Sequence, residues 1–85
     1  MIQYKGGNGS SKEKAVIIVG AESELEGLDA QFECIEHKCG YFDVESQWFF
    51  NEGDRQFDCL MVIGVTGNKE QLWFDVTDYY GMDDD

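Results

Sequence analysis

Only one stretch of this chain carries helix signals at both ends, and that limits the fold more than any other feature. In residues 22–40, ESELEGLDAQFECIEHKCG, Ser23 is followed by Glu26, the spacing of a capping box. Glu22, Glu24 and Glu26 fall at the positive end of the helix dipole, and His37 and Lys38 at its negative end. Gly40 suits the residue just beyond a helix. Leu25, Leu28, Phe32, Ile35 and Cys39 recur at helical spacing and predict the buried stripe. Gly27 costs about 1 kcal/mol relative to alanine inside a helix, so its presence predicts close approach by another segment.

The remaining apolar runs have the character of strands. Residues 15–20, AVIIVG, are a short β-branched run, expected as a strand buried on both faces. Residues 44–50, VESQWFF, lead into the turn residues Asn51-Glu52-Gly53-Asp54. In residues 56–65, QFDCLMVIGV, Phe57, Cys59, Met61, Ile63 and Val65 share one face. Thr66-Gly67-Asn68-Lys69 is a second hairpin signal. Residues 71–76, QLWFDV, set Leu72, Phe74 and Val76 opposite Trp73. The order β-α-β-β-β predicts a single α+β domain over residues 1–85, with one helix on a mostly antiparallel sheet of about four strands. Residues 1–14 are expected as a Gly/Ser-rich arm and residues 82–85 as a frayed acidic tail.

Eighteen acids against six bases give a net charge of −12. Such a surface repels nucleic-acid phosphates and anionic membranes and attracts basic proteins. No apolar run approaches the roughly 20 residues of a membrane span. The N-terminal MIQYKGGNGSSKEK lacks the apolar core of a signal peptide, which predicts a cytoplasmic protein. Cys34, Cys39 and Cys59 are then reduced thiols used as small apolar residues.

Candidate chemistry is sparse. The glycines of KGGNGSSKEK do not match a phosphate-binding loop, because Ser11 precedes Lys12 and Glu13 follows it. Cys34, His37 and Cys39 lack a fourth zinc ligand, so no metal or cofactor is expected. A cysteine nucleophile beside His37 would be dulled by the surrounding negative charge. Asp75 and Asp78 are the carboxylates that an acid/base site would use; a solvent-facing strand residue and a turn cap are the plainer reading. The aromatics Trp48, Phe49, Phe50, Trp73, Tyr79 and Tyr80 lack the basic groove that base stacking needs, so direct nucleic-acid binding is not expected.

Two surfaces stand out. Glu22, Glu26, Asp29, Glu33 and Glu36 line one arc of the helix, where like charges at i,i+4 repel by a few tenths of a kcal/mol per pair. A single helix leaves one sheet face open, and Phe49, Leu60, Val62 and Trp73 are expected on it, with Val16 or Ile18 nearby.

The segments YKGGNGSSKEKAVIIVGA, EGLDAQFECIE and LWFDVTDYYG, in that order, cover about half the chain. In them the chain resembles a family of small bacterial proteins of no known activity. The resemblance implies an α+β domain and no catalytic signature.

The function expected from these readings is that of a small acidic interaction module. It would bind, and inhibit, a basic protein such as a nuclease or toxin through the acidic stripe. The alternatives are a structural homodimer joined through the open sheet face, and a ligand binder or enzyme using Asp75 and Asp78.

Overall fold

A computed structural model describes residues 1–82 of the chain. It contains β1 (Gln3–Gly6), a 3-10 turn (Lys12–Lys14), β2 (Val16–Val19), α1 (Glu24–Cys39), β3 (Phe42–Glu52), β4 (Arg55–Gly64) and β5 (Lys69–Asp75). The α+β class holds, but the sheet has five strands, ordered β1-β2-β5-β4-β3. It is mixed: β2 and β5 run parallel through Val16↔Phe74, and the other neighbours are antiparallel. The tail expected to fray lies mostly outside the described residues, at 83–85.

The fifth strand comes from the expected arm. Gln3–Gly6 pairs with Val16–Val19, and Tyr4 donates its hydroxyl hydrogen bond to the Ala30 carbonyl of α1 at 2.9 Å. The following loop is tied down by its backbone. Gly9 N donates to Lys14 O at 2.7 Å, and Gly9 O accepts from Trp73 N of β5 at 2.8 Å. Gly9 has φ +84°, and a Cβ added to it would lie 3.3 Å from the Trp73 carbonyl oxygen, so a side chain there meets both strain and backbone. Composition alone could not foretell this order, because the loop is held by main-chain bonds rather than by apolar side chains.

Helix α1 starts and stops as its signals predict. The Ser23 hydroxyl accepts from Glu26 N at 3.0 Å, and Gly40, at φ 74°, donates to Glu36 O. Of the predicted stripe, Ile35 is buried and Phe32 and Cys39 pack against the core, but the Leu25 end is turned out. Gly27, Ala30, Gln31 and Ile35 are buried, whereas Leu25 is 59% exposed. The centre of the fully buried arc lies roughly 100° from that of the expected stripe, and the two share Ile35. Small residues make the contact because the Tyr79 ring packs on Gly27, where an added Cβ would come within 2.4 Å of it. Gly27 thus does admit a close neighbour. Asp29, Glu33 and Glu36 then fall on the side away from the sheet, where they are exposed, as is Glu22 just before the Ser23 cap.

The core between helix and sheet is built from Val16, Ile18, Leu60, Val62, Leu72 and Phe74, with Val76 and Tyr79 closing one end. This corrects the expected open face. Leu60 and Val62 are 0% and 1% exposed under the helix, as are Val16 and Ile18 at 7% and 0%. Phe49 lies across from Asp58 on the helix side of β3 and stacks on Tyr80 at 4.9 Å. Of the four residues named for the open face, only Trp73 is there. The reason is that β4 is apolar on both sides, so its alternation cannot say which side meets the helix.

The open face instead carries Phe57, Cys59, Met61 and Ile63 of β4, flanked by Trp48 and Phe50 of β3 and Trp73 of β5. Strands β3 and β5 stand two strand spacings apart, roughly 9–10 Å. Phe50 and Trp73 nevertheless stack with ring centroids 5.1 Å apart. They lean together over β4, on the face where Cys59 is 0% exposed; Phe57, 7% exposed, borders a cavity with Lys12, Glu13 and Arg55.

Candidate functional site

The expected carboxylate pair does not converge. Asp75 is buried and bound to Arg55 at 2.8 Å. Its Oδ1 also accepts from Thr77 N at 3.0 Å and Thr77 Oγ1 at 2.6 Å. Asp78 accepts from Gly20 N at 3.0 Å, so it clasps the end of β2. Each carboxylate serves a separate structural contact.

Cys34 and His37 line one cavity with Tyr4 and Glu33, and Cys39 is not among its lining residues. Among the described residues no group of three His, Cys, Asp or Glu side chains is placed to hold a metal ion. Burial pushes the Cys34 thiol up, and burial together with Glu70, to which Cys39 Sγ donates at 3.3 Å, pushes Cys39 up. Both changes oppose thiolate formation and nucleophilic use. Burial raises Cys59 as well, beneath the Phe50–Trp73 stack.

Perturbed polar groups do converge elsewhere, around Gln31, Asp58 and Tyr79. A cleft of about 350 Å³ opens between the first turns of α1 and the outer half of the sheet. Glu24, Leu25 and Leu28 form its helical wall; Gln47 and Asp58 form its strand wall, and Gln31 and Tyr79 complete it. Gln31 Nε2 donates to Asp58 Oδ2 at 3.0 Å and to the Tyr79 hydroxyl oxygen at 2.6 Å. Gln31 is 1% exposed, and its Oε1 has no hydrogen-bond partner among the described residues. Burial pushes the Asp58 carboxyl above its usual range, against hydrogen bonds from Gln31 and Gln47 that pull it down. Burial also raises the Tyr79 hydroxyl, helped by the charges of Asp58, Glu24 and Asp75, so it stays protonated. Such a set of shifted groups in a cleft is where ligand contacts are commonly found.

The sequence does contain two signals for this cleft. Asp58 is the single acid within the apolar alternation of β4, and Gln31 is a polar residue between Ala30 and Phe32. What no spacing conveys is that helix, strand and the Tyr79 turn meet there.

The acidic stripe lies beside the cleft on the outer helix surface. Glu22, Asp29, Glu33 and Glu36 are exposed and Glu26 is half-buried. None of the five takes part in an ion pair among the described residues. Four of the chain's six bases are engaged with other acids: Lys12 with Glu52, Lys38 with Glu70, Arg55 with Asp75 and Lys69 with Glu45. No helix among the described residues is long and apolar enough to cross a membrane. No family model, curated protein or solved structure matches the chain.

Proposed function

We propose that this protein is a small interaction module that binds a basic protein partner through the outer face of α1, and that such binding inhibits the partner where its basic surface is a phosphate-binding groove. The observation that carries the reading is the partition of charge. The bases are drawn to the sheet and the arm, while the five stripe acids stand without an ion pair among the described residues. Unneutralised like charges on one face raise the association rate with a complementary surface and disfavour wrong partners.

Replacing Asp29, Glu33 and Glu36 together by Lys tests this. These three lie beyond the first helical turn, so the helix dipole does not oppose the change. The variant should fold and lose a basic protein that the natural chain retains from lysate at low salt and releases at high salt, as the Debye length shrinks from ~10 Å at 0.1 M to ~3 Å at 1 M. Equal retention by the folded variant would remove the stripe from the reading.

A second reading, self-association through the open sheet face, is favoured by the exposure of Trp48 and Phe50, 44% and 38%, beside Trp73. A sedimentation-equilibrium mass of one chain at tens of micromolar would dismiss it; a mass of two chains, reduced by Trp48→Lys, would sustain it.

A further inference from the structure

The cleft against Asp58 is unlike the rest of the interior in its charge. Among the described residues its polar lining is carboxylates, neutral amides and the Tyr79 phenol, whose oxygen already accepts from Gln31. Glu24 and Asp58 supply carboxylates, Gln31 a buried oxygen with no partner among the described residues, and Gln47 an amide. No Lys, Arg or His among the described residues lines it. Asp58 makes no ion pair among the described residues, whereas Asp75, the other interior carboxylate, is bound by Arg55. Leu25 and Leu28 add an apolar wall beside these acceptors.

An occupant that complements this wall must bring several hydrogen-bond donors, a positive charge and an apolar stem. An arginine side chain has all three: five N–H donors in one plane, a weakly hydrated charge and a methylene stem that packs on leucine. A lysine ammonium concentrates three donors at one strongly hydrated point and is the poorer match to acceptors spread along a cleft.

We propose that this cleft receives an arginine side chain presented by the basic partner, with the guanidinium donating to Asp58 and Gln31 and the stem lying on Leu25 and Leu28. The inference rests on the reading that the partner is basic, and gives that partner a specific contact beside the long-range pull of the acidic stripe.

The test titrates the full-length ¹⁵N-labelled protein with arginine blocked as the N-acetyl N-methylamide. Blocked lysine and blocked citrulline, the neutral isostere of arginine, serve as comparisons. The expected result is saturable movement of the Gln31 side-chain amide and the Gly27 and Asp58 backbone amides with arginine, weaker movement with lysine and none with citrulline. Asp58→Asn keeps an oxygen to accept from Gln31 and should fold, and should weaken arginine binding at least about tenfold. The Asp29/Glu33/Glu36→Lys variant should still show the arginine-induced movement in the cleft.

Equal responses to arginine and citrulline, or an arginine response unchanged by Asp58→Asn, would overturn the proposal. A lysine-rich peptide run in parallel separates the two readings. If it moves the outer helix amides while arginine leaves the cleft unmoved, the cleft proposal fails and the stripe reading stands. If arginine fills the cleft and the peptide ignores the stripe, the cleft proposal stands and the stripe reading fails.

Discussion

Asp58 and Asp75 make a natural pair for comparison. Strands β4 and β5 pair Phe57 with Asp75 and Asp58 with Phe74, so the two carboxylates lie one rung apart on opposite faces of the same ladder. Asp75, facing away from the helix, has a guanidinium and both donors of Thr77. Asp58, facing the helix, has neutral amides alone, and burial pushes its carboxyl up. One corner is therefore closed and self-sufficient, and the other keeps a desolvated charge that a protein selected only for stability would neutralise or remove. The same residue type on adjacent rungs can serve as scaffold or as candidate contact, depending on which neighbours the fold brings to it.

The largest expected effect comes from opening the closed corner. Arg55→Met should cost about 2 kcal/mol in urea unfolding, less than the ~3–5 kcal/mol of a wholly buried pair because the guanidinium is half exposed. A loss under about 0.5 kcal/mol would show that Thr77 alone holds Asp75, and the contrast between the corners would weaken.

Next is the packing that roofs the Asp58 side. Gly27→Ala drives a methyl into the Tyr79 ring. Overpacking of about 1–3 kcal/mol outweighs the helix-propensity gain of about 1 kcal/mol, for a net loss of about 1 kcal/mol. In a Tyr79→Ala background the same change should become stabilising by roughly the propensity term. A stabilising effect in both backgrounds would mean that the ring does not press on Gly27.

The smallest effect has the opposite sign and sharpens the comparison most. A carboxyl raised on folding keeps its proton in the native state after the unfolded chain has released it. Stability therefore falls as pH rises from the unfolded value through the raised native one, and the penalty is complete above it. Asp58→Asn removes that penalty. At neutral pH the variant should be as stable as the natural chain or slightly more so, and its advantage should vanish on acidification below the usual carboxyl range. Glu24, Gln31, Gln47 and Tyr79 face Asp58 and are unchanged by the substitution. A loss of stability at neutral pH would mean that Asp58 is held as firmly as Asp75.

Much of the fold was legible because its signals are local. Ser23, Glu26 and Gly40 define α1 through contacts no more than four residues away, and the hairpin glycines Gly53 and Gly67 mark turns by φ of 62° and 85°. The β-branched run before the helix and the alternation of Leu72, Phe74 and Val76 against Trp73 gave strands in the right places. The acidic face of α1 was legible too, since helical periodicity alone gathers its members.

What the tertiary structure alone decided is which side of each element faces in. The chain is apolar on both faces of β4, and the helix has competing arcs of large and of small residues; periodicity ranks neither. The choice was made by Tyr79 settling on Gly27, 52 residues away in sequence, which rotated α1 and left Leu25 and Leu28 as a cleft wall instead of core. The order of the N-terminal loop was decided the same way, by a backbone bond from Trp73 to Gly9 that no side chain announces. Sequence thus determined the elements, their ends and the sign of the surface. Contacts between distant segments determined the inward faces, and with them a cleft in which a carboxylate, an amide and a phenol meet.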